Sequence, residues 1–207
     1  MARMSVDQRR SALLESAYRV IADHGVEGAT TRRICAHAGM PLASFHYAFE
    51  SRTALLCAVM ETAVPTDIEH MLHAVLPAAD YGPEPGVETM RSSMVSQFHA
   101  FYDLLKADPG RMQATIALGI YAHNHPELQQ VGKHMYEQLY RVASAGLRSM
   151  ADLTPMEWTT PVEDLGPLII AATNSITLVY LSTADDKVVD AIIRSITDQL
   201  MTHVSFG

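Results

Sequence analysis

The chain has 207 residues, a formal net charge of −8, 48% hydrophobic residues and 18% charged residues, as expected for a globular protein with one sizeable core or a small module attached to a larger one. Its only cysteines, Cys35 and Cys57, lie within apolar helical patterns. This excludes a disulfide framework and favours buried thiols in a reducing cytoplasm. No apolar run reaches the length of a membrane span, and the charged N-terminus lacks the apolar segment of a signal peptide. We therefore expect a cytoplasmic protein without a membrane partner.

The charge is distributed unevenly along the chain. Up to Arg52 there are seven arginines and five acidic residues, a balance of +2, whereas the remainder has eight basic and eighteen acidic residues, a balance of −10. A weakly basic end on an acidic body is oriented by a polyanion. The small basic excess therefore favours nucleic-acid binding by the N-terminal part.

The first predicted helix covers about Ser5 to His24. It opens with a capping box, in which the side chains of Ser5 and Gln8 satisfy each other's backbone amides. Apolar residues then recur at helical spacing. Gly25, which tolerates a left-handed conformation, ends the helix.

Two short helices joined by a tight turn follow. Thr30 or Thr31 caps the first of them, Gly39 supplies the positive φ that the turn requires, and the second covers about Leu42 to Tyr47. Their buried face is formed by Ile34, Cys35, Ala38, Phe45 and Phe49. This spacing is typical of a helix-turn-helix.

The residues from Thr30 to Leu56 resemble the DNA-binding domain of the TetR (tetracycline-repressor-like) family. In that family a Thr opens the second helix, Ile-Ala-x-x-Ala-Gly precedes the turn, Tyr-x-x-Phe ends the third helix, and Ser-Lys opens a long fourth helix. The matching positions here are Thr30, Thr31, Ile34, Cys35, Ala38, Gly39, residues 45–49, Ser51, Arg52, Leu55 and Leu56. The resemblance covers about the first quarter of the chain.

Departures from the family pattern include four positions between the turn and the start of the fourth helix. Pro41 replaces the usual Ser after the turn, which removes a hydroxyl that could cap the third helix, although proline suits a helix start. His46 replaces the usual Tyr, Ala48 replaces a common His, and Arg52 replaces the usual Lys. The outward part of the third helix is therefore where we expect this protein's own base preferences.

The resemblance implies a DNA-binding domain over residues 1–52 and an effector-binding and dimerisation domain over residues 53–207. It also implies a homodimeric repressor, released from a palindromic operator in double-stranded DNA when a small, largely apolar effector binds. In this scheme effector binding shifts the fourth helix. The shift changes the separation of the two DNA-reading third helices, one from each subunit. Activation and co-repression are the alternatives to relief of repression.

Ten residues are candidates for DNA contact. The phosphate candidates are Arg32, Arg33 and Arg52, which would set affinity and register. Ala43 and Ser44 could touch base edges. His46 and Tyr47 could reach phosphate or base, with packing on the first helix as an equal alternative for Tyr47. The remaining three candidates flank the two short helices and are Thr30, Thr31 and Leu42.

The rest of the chain shows helical spacing and no strand pattern of strict alternation. Further helices are predicted from about Ser51 with a kink or break at Pro65, over a Met- and aromatic-rich stripe from Met90 to Leu105, and over about 111–122, 127–150, 162–182 and 185–204. Residues 77–86 are predicted as a loop and 154–161 as a polar connector. The predicted fold is all-α, with about nine helices.

A pocket between these helices is the predicted effector site. Its candidate lining residues are Met90, Met94, Phe98, Phe101, Tyr102, Ile116, Ile120, Tyr121, Met135, Asn174 and Thr177. Methionine surfaces adapt to varied apolar ligands, but plain core packing explains each apolar residue equally well. Asn174 and Thr177 interrupt an apolar helix, and backbone or water partners are the alternative to ligand contact.

The last two helices are apolar over more of their surface than one contact needs, which predicts a partner subunit. In the family that the chain resembles, the last two helices form a four-helix dimer interface. The candidate interface residues are Leu168, Ala172, Ile176, Val179, Val189, Ile192, Ile193, Ile196 and Leu200.

Neither a metal nor a cofactor is predicted. His123 and His125, with His99 or His134 as further ligands, are candidates for a metal site. Their spacing, however, directs the two rings apart, and no Cys or close carboxylate pair joins them in the sequence. The chain lacks Gly-rich phosphate loops and recognisable hydrolase or metalloprotease motifs, so an enzyme is not expected. Two other classes remain open: a helical ligand-sensing or protein-binding dimer that does not read DNA, and an all-helical enzyme.

Overall fold

The computed structural model describes residues 4–76, 86–154 and 156–206. The helices are α1 (Val6–Gly28), α2 (Thr31–His37), α3 (Ala43–Ala48), α4 (Arg52–Ala58), α5 (Val64–Val75), α6 (Val87–Ala107), α7 (Pro109–His123), α8 (Gln129–Asp152), α9 (Val162–Thr183) and α10 (Asp186–Met201), and the strands are β1 (Met156–Trp158) and β2 (Val204–Phe206). The predicted loop at 77–86 lies outside the described residues, apart from Gly86, which is the N-cap of α6.

The predicted all-α fold is confirmed. A π-helical turn, Val59–Ala63, joins α4 and α5 into one continuous run, so the described residues form nine helical segments in all. The capping box at Ser5 and Gln8 is present, with backbone-to-side-chain distances of 2.9 and 3.1 Å.

The predicted interruption at Pro65 takes the form of this π turn. Proline has no N–H to donate, and its ring would clash with the carbonyl four residues earlier, that of Glu61, in a regular α-helix. The backbone widens instead, and the Val64 N–H donates to the carbonyl of Val59. The helix therefore continues past the proline, as π turns allow.

Two short strands correct the sequence-based description. Strand β1 lies in the segment predicted as a polar connector, and β2 begins at the predicted end of the last helix. The two strands are antiparallel, with Trp158 opposite Val204. Three-residue strands are too short to show alternation, and their pairing partner is distant in sequence. The Trp158 indole donates to the carbonyl of Leu147 at 2.9 Å, so this tryptophan anchors the connector to α8.

The chain forms two compact units. The first comprises residues 1–67 and 110–136, and the second comprises residues 68–109 and 137–207. The first unit therefore contains α7 in addition to the N-terminal helices. A functional boundary after Arg52 stays a prediction.

A polar cluster is buried between α1, α5 and α7 in the first unit. The Tyr18 phenol lies 3.2 Å from a carboxylate oxygen of Asp67, 3.1 Å from the carbonyl of Arg111 and 3.2 Å from the hydroxyl of Thr115. The Arg111 guanidinium donates to Asp67, which is 6% exposed. The buried carboxylate is thus paired with a cation and a phenol, which offsets its desolvation.

Helix α9 is long and apolar enough to cross a membrane by length and composition alone, the only such helix among the described residues. In the second unit it packs against α10 and α6. A core helix of a soluble protein passes the same test, and packing of this kind is what such a helix requires.

Candidate nucleic-acid interface

Helix α2 and the following turn have the geometry of a helix-turn-helix. The Thr30 hydroxyl accepts from the Arg33 amide at 3.3 Å and caps α2. Gly39 has a φ of 64°, and the next amide, that of Met40, donates back to the Cys35 carbonyl at 2.8 Å. The turn therefore depends on the left-handed conformation that glycine adopts without strain.

Helix α3 starts without a side-chain cap. Leu42 is its N-cap and has helical φ and ψ, and the Ser44 amide donates to the Pro41 carbonyl at 2.9 Å. Proline has replaced the capping hydroxyl, but its fixed φ still directs the chain into the helix. The start of α3 is consequently held by backbone hydrogen bonds alone.

One face of the helix-turn-helix is buried in the core, and the opposite face of α3 is exposed to solvent. Ile34, Cys35, Phe45 and Phe49 are at most 3% exposed. On the other face, Tyr47 is 74% and Leu42 is 42% exposed. Ala43 and His46 are also exposed, and Ser44 is half-buried. The residues predicted to read DNA thus include four that the fold leaves accessible together on α3.

Two arginines of α1, which the sequence did not single out as DNA-binding candidates, lie beside this face. The Arg9 guanidinium carbon lies 6.0 Å from the centroid of the Tyr47 ring. Arg10 donates to the Ala48 carbonyl at 2.9 Å and lies 4.3 Å above the Phe49 ring. No periodic signal marks these residues, because their pairing with α3 depends on how α1 packs.

The three arginines predicted to bind phosphate have different surroundings. Arg32 is exposed, and among the described residues its side chain has no hydrogen bond or ion pair. Arg33 is exposed but donates to the Gly28 carbonyl at 2.6 Å. Arg52 is half-buried and donates to the carbonyls of Val26 and Ala29, the latter at 3.0 Å.

Arg52 also contacts α7. Its Nη1 lies 3.2 Å from the Tyr121 hydroxyl, and its guanidinium carbon lies 5.7 Å from the centroid of the Tyr121 ring. The Tyr121 ring stacks on His125, with ring centroids 3.8 Å apart. His125 Nδ1 is in turn 2.7 Å from the Tyr121 carbonyl oxygen.

The predicted effector residues fall into both compact units. Ile116, Ile120, Tyr121 and Met135 belong to the first; Ile120 is 60% exposed and Met135 is fully buried. The remaining seven belong to the second unit. Of these, Met90, Met94, Phe98, Phe101 and Tyr102 on α6 are at most 7% exposed.

Two polar residues of α9 were also predicted to contact effector. The Thr177 hydroxyl donates to the Thr173 carbonyl at 2.7 Å, so its hydrogen bond is satisfied by the helix backbone. Asn174 is half-buried. Asn174 therefore remains the more available polar candidate on this helix.

The Tyr102 phenol has polar and aromatic partners that the sequence did not indicate. It donates to Asp186 at 2.5 Å, and its ring meets Tyr180 edge to face with centroids 5.4 Å apart. Lys106 Nζ lies 4.5 Å above the Tyr102 ring. Burial, followed by the hydrogen bond to Asp186, raises the pKa of Tyr102 above its usual range, so the phenol stays a neutral donor.

The predicted dimer residues lie on two faces of α9 and α10. Leu168, Val179, Ile192 and Ile196 are half-buried. Ala172, Ile176, Val189, Ile193 and Leu200 are at most 1% exposed within the single chain. These five form the chain's own core, because the strongest apolar stripe of each helix packs against neighbouring helices of the same unit.

A different face of the same helices is open. Leu178 is 51%, Leu181 is 39% and Val188 is 43% exposed. Ser175 and Ala171, one and two turns before Leu178, are also exposed. The apolar surface available to a partner is therefore centred on Leu178 rather than on the predicted stripe.

The histidine residues do not assemble a metal site in the described parts of the chain. No group of three His, Cys, Asp or Glu side chains there has an arrangement that could hold a metal ion. His99 lies 3.8 Å from Asp190, and His125 is engaged with Tyr121 as described.

Comparison with known proteins places the same helices in a family. Residues 13–59 match the model described as bacterial regulatory proteins, tetR family. The chain is 23% identical over 184 residues to the HTH-type nicotine-responsive transcriptional repressor HdnoR of Paenarthrobacter nicotinovorans, with 89% of each chain covered.

Solved structures share the fold. A putative TetR-family transcriptional regulator from Rhodococcus sp. superposes with a TM-score of 0.66 at 14% identity, over 93% of this chain and 98% of that chain. The multidrug binding protein EbrR, complexed with proflavin, gives a TM-score of 0.60 at 21% identity, over 93% and 99% of the two chains.

The matched residues begin within α1 and end in the π turn, so they contain the whole helix-turn-helix with its scaffold and its open α3 face. The relative in Paenarthrobacter extends the similarity over nearly the full chain. Residues 13–59 therefore form a helix-turn-helix of the kind found in the tetR family of bacterial regulatory proteins, and over nearly its full length the chain is similar to a transcriptional repressor.

Proposed function

We propose that this protein is a homodimeric repressor that occupies a palindromic operator and leaves it when a small, largely apolar effector binds. The observation that carries the proposal is the open face of α3, where Leu42, Ala43, His46 and Tyr47 are exposed on a scaffold of buried residues. A recognition helix reads base edges through such side chains in the major groove.

The contact roles follow from this placement. Ala43 offers a methyl group to thymine, and the half-buried Ser44 offers a hydroxyl to either base of a pair. His46 and Tyr47, at the end of α3, reach base or phosphate. Thr30 and Thr31 lie at the start of α2, where exposed amides and hydroxyls hold phosphate oxygens.

The second unit is the proposed effector-binding part. Support comes from the methionine and aromatic side chains of α6, since Met and aromatic residues adapt to flat apolar ligands. One relative is a nicotine-responsive repressor, and one structural neighbour is a multidrug binding protein complexed with proflavin. Nitrogen-containing aromatic compounds are therefore the first effectors to test.

A homodimer is proposed through the exposed faces of α9 and α10 around Leu178. Two copies related by twofold symmetry would present two α3 helices to successive half-sites, which is what a palindrome requires. A DNA-binding regulator acts where the chromosome lies, so we propose a cytoplasmic location.

Selection of genomic fragments bound by the full chain tests whether the exposed face of α3 reads DNA. We expect recovered fragments to share a palindromic motif. His46→Ala should alter the preferred base at one position of each half-site, whereas His73→Ala, at a histidine that is also exposed but lies on α5, should leave the motif unchanged.

Effector release is tested on the recovered duplex. Addition of an aromatic amine that binds the protein should lower its affinity for this duplex, because a ligand shifts the equilibrium by its differential affinity for the two states. Fragments without a common motif would instead support a sensor or protein-binding dimer that does not read DNA.

A further inference from the structure

Arg52 and Tyr121 together hold the end of α1 in place. The last carbonyls of a helix have no partner within the helix, so they need donors from elsewhere. In α1 these carbonyls belong to Val26 and Gly28, with Ala29 as the C-cap. Arg52 donates to Val26 and Ala29, and Arg33 donates to Gly28.

The segment so held determines where α2 begins. Gly25 interrupts α1 with a φ of 71°, and the chain then passes through residues 26–29 to Thr30, the N-cap of α2. The amides of Ala29 and Thr30 donate to the carbonyls of Val26 and Gly28 at 3.1 and 2.9 Å. The guanidinium groups of Arg52 and Arg33 donate to these same two carbonyls. They thereby fix this turn, and with it the position of the helix-turn-helix.

Tyr121 fixes Arg52 in turn. Its hydroxyl accepts from Arg52 Nη1, its ring lies beside the guanidinium, and the ring also stacks on His125. Nε, Nη1 and Nη2 of Arg52 therefore each have a partner within the protein. Glu27 Oε2 lies 3.9 Å from Arg52 Nη2. The Glu27 side chain is 81% exposed, so this ion pair contributes little.

We infer that Arg52 is a positioning residue, which with Tyr121 couples α7 to the start of the helix-turn-helix, and that it is not a phosphate ligand. The phosphate contact of this group of arginines then belongs to Arg32, whose side chain is exposed and, within the described residues, unengaged. The inference rests on the proposed operator binding for its DNA measurements.

Lysine substitution separates the two roles. Lysine keeps the charge that a phosphate contact needs, but its single ammonium cannot reproduce the planar fork that reaches three partners. The inference therefore predicts that Arg52→Lys binds the operator as weakly as Arg52→Ala, about tenfold more weakly than the wild type. A phosphate ligand would be rescued by lysine.

Salt dependence gives a second, independent readout. Each phosphate contact contributes about 0.9 to the slope of log affinity against log salt. Because a homodimer carries two copies of each residue, Arg32→Ala should lower the slope by about 2, whereas Arg52→Ala, Arg52→Lys and Tyr121→Phe should leave it unchanged while lowering affinity. A slope reduced by about 2 in Arg52→Ala, with wild-type binding by Arg52→Lys, would overturn the inference.

The free protein provides a readout that does not depend on DNA. Tyr121→Phe removes only the hydroxyl, and the loss should speed hydrogen exchange of the Ala29 and Thr30 amides about threefold or more. Equal exchange in the wild type, Tyr121→Phe and Arg52→Lys would overturn the inference even if no operator were found. Reduced stability without altered operator affinity in the folded variants would also overturn it, since it would leave Arg52 a purely structural role.

Discussion

Tyr18 connects three helices through one phenol. Burial, with the charge of Asp67 as the next cause, raises the pKa of Tyr18 above its usual range. The phenol therefore stays protonated and can donate to Asp67, whose carboxylate also accepts from Arg111. At this scale the sequence predicted little, because the partners lie 49 and 93 residues away and only the folded chain brings them together.

Tyr18→Phe should lower the free energy of unfolding by about 1–2 kcal/mol, since it removes one donor from a buried carboxylate and keeps the ring. Urea unfolding measures the change. Tyr47→Phe, at a ring that is 74% exposed, serves as the control and should stay within about 0.5 kcal/mol of the wild type. Equal effects of the two substitutions would contradict the role given to the cluster.

The pH dependence of this contribution has a definite sign. A phenol ionises near pH 10 in the unfolded chain, and the folded state raises the pKa of Tyr18 above that value. Its contribution to stability is therefore complete below about pH 10 and is lost as pH rises further, by up to about 1.4 kcal/mol per pH unit. The difference in unfolding free energy between the wild type and Tyr18→Phe should be constant from pH 7 to 9 and should shrink above 10.

At the scale of elements, helical spacing predicted the segments well and their ends less well. The capping box and Gly39 are local signals, and both have the predicted geometry. The two strands and the π turn were not predicted, because a three-residue strand has no period and Pro65 alone does not distinguish a break from a widened turn.

Two positive-φ residues give a matched pair of substitutions. Gly39→Ala places a side chain at a φ of 64° and should cost about 1 kcal/mol of stability, although no atom beyond the two neighbouring residues lies within 4 Å of the new Cβ. Ala184 has a φ of 50°, so Ala184→Gly should instead stabilise by about 0.5 kcal/mol. Thermal unfolding of both variants checks the opposite signs, and shifts in the same direction would refute this backbone argument.

At the scale of the whole molecule, the sequence indicated that α9 and α10 carry more apolar surface than one chain can bury. The predicted interface residues, however, lie on two different faces of these helices. The most apolar positions, including Ile176 and Ile193, pack within the chain. Only packing shows which apolar face remains open, because helical spacing does not distinguish core from interface. The effector candidates have the same limitation, since core and pocket use the same side chains.

Leu178→Asp should therefore weaken self-association. A charge at an exposed position in the centre of an interface is desolvated in the dimer and fully hydrated in the monomer. Sedimentation velocity at micromolar concentration should show a larger monomer fraction than for the wild type. Leu153→Asp, at a leucine that is 70% exposed outside both helices, should leave association unchanged; a fully dimeric Leu178→Asp would place the interface elsewhere.

The central claim is that the open face of α3 reads a specific DNA sequence. Fluorescence anisotropy of a palindromic duplex recovered from the genome, titrated with the full chain at several salt concentrations beside a scrambled duplex, tests it most directly. We predict binding that weakens steeply with salt for both duplexes and an affinity for the palindrome at least about a thousandfold higher. Equal affinity for the two duplexes at every salt concentration would contradict the account.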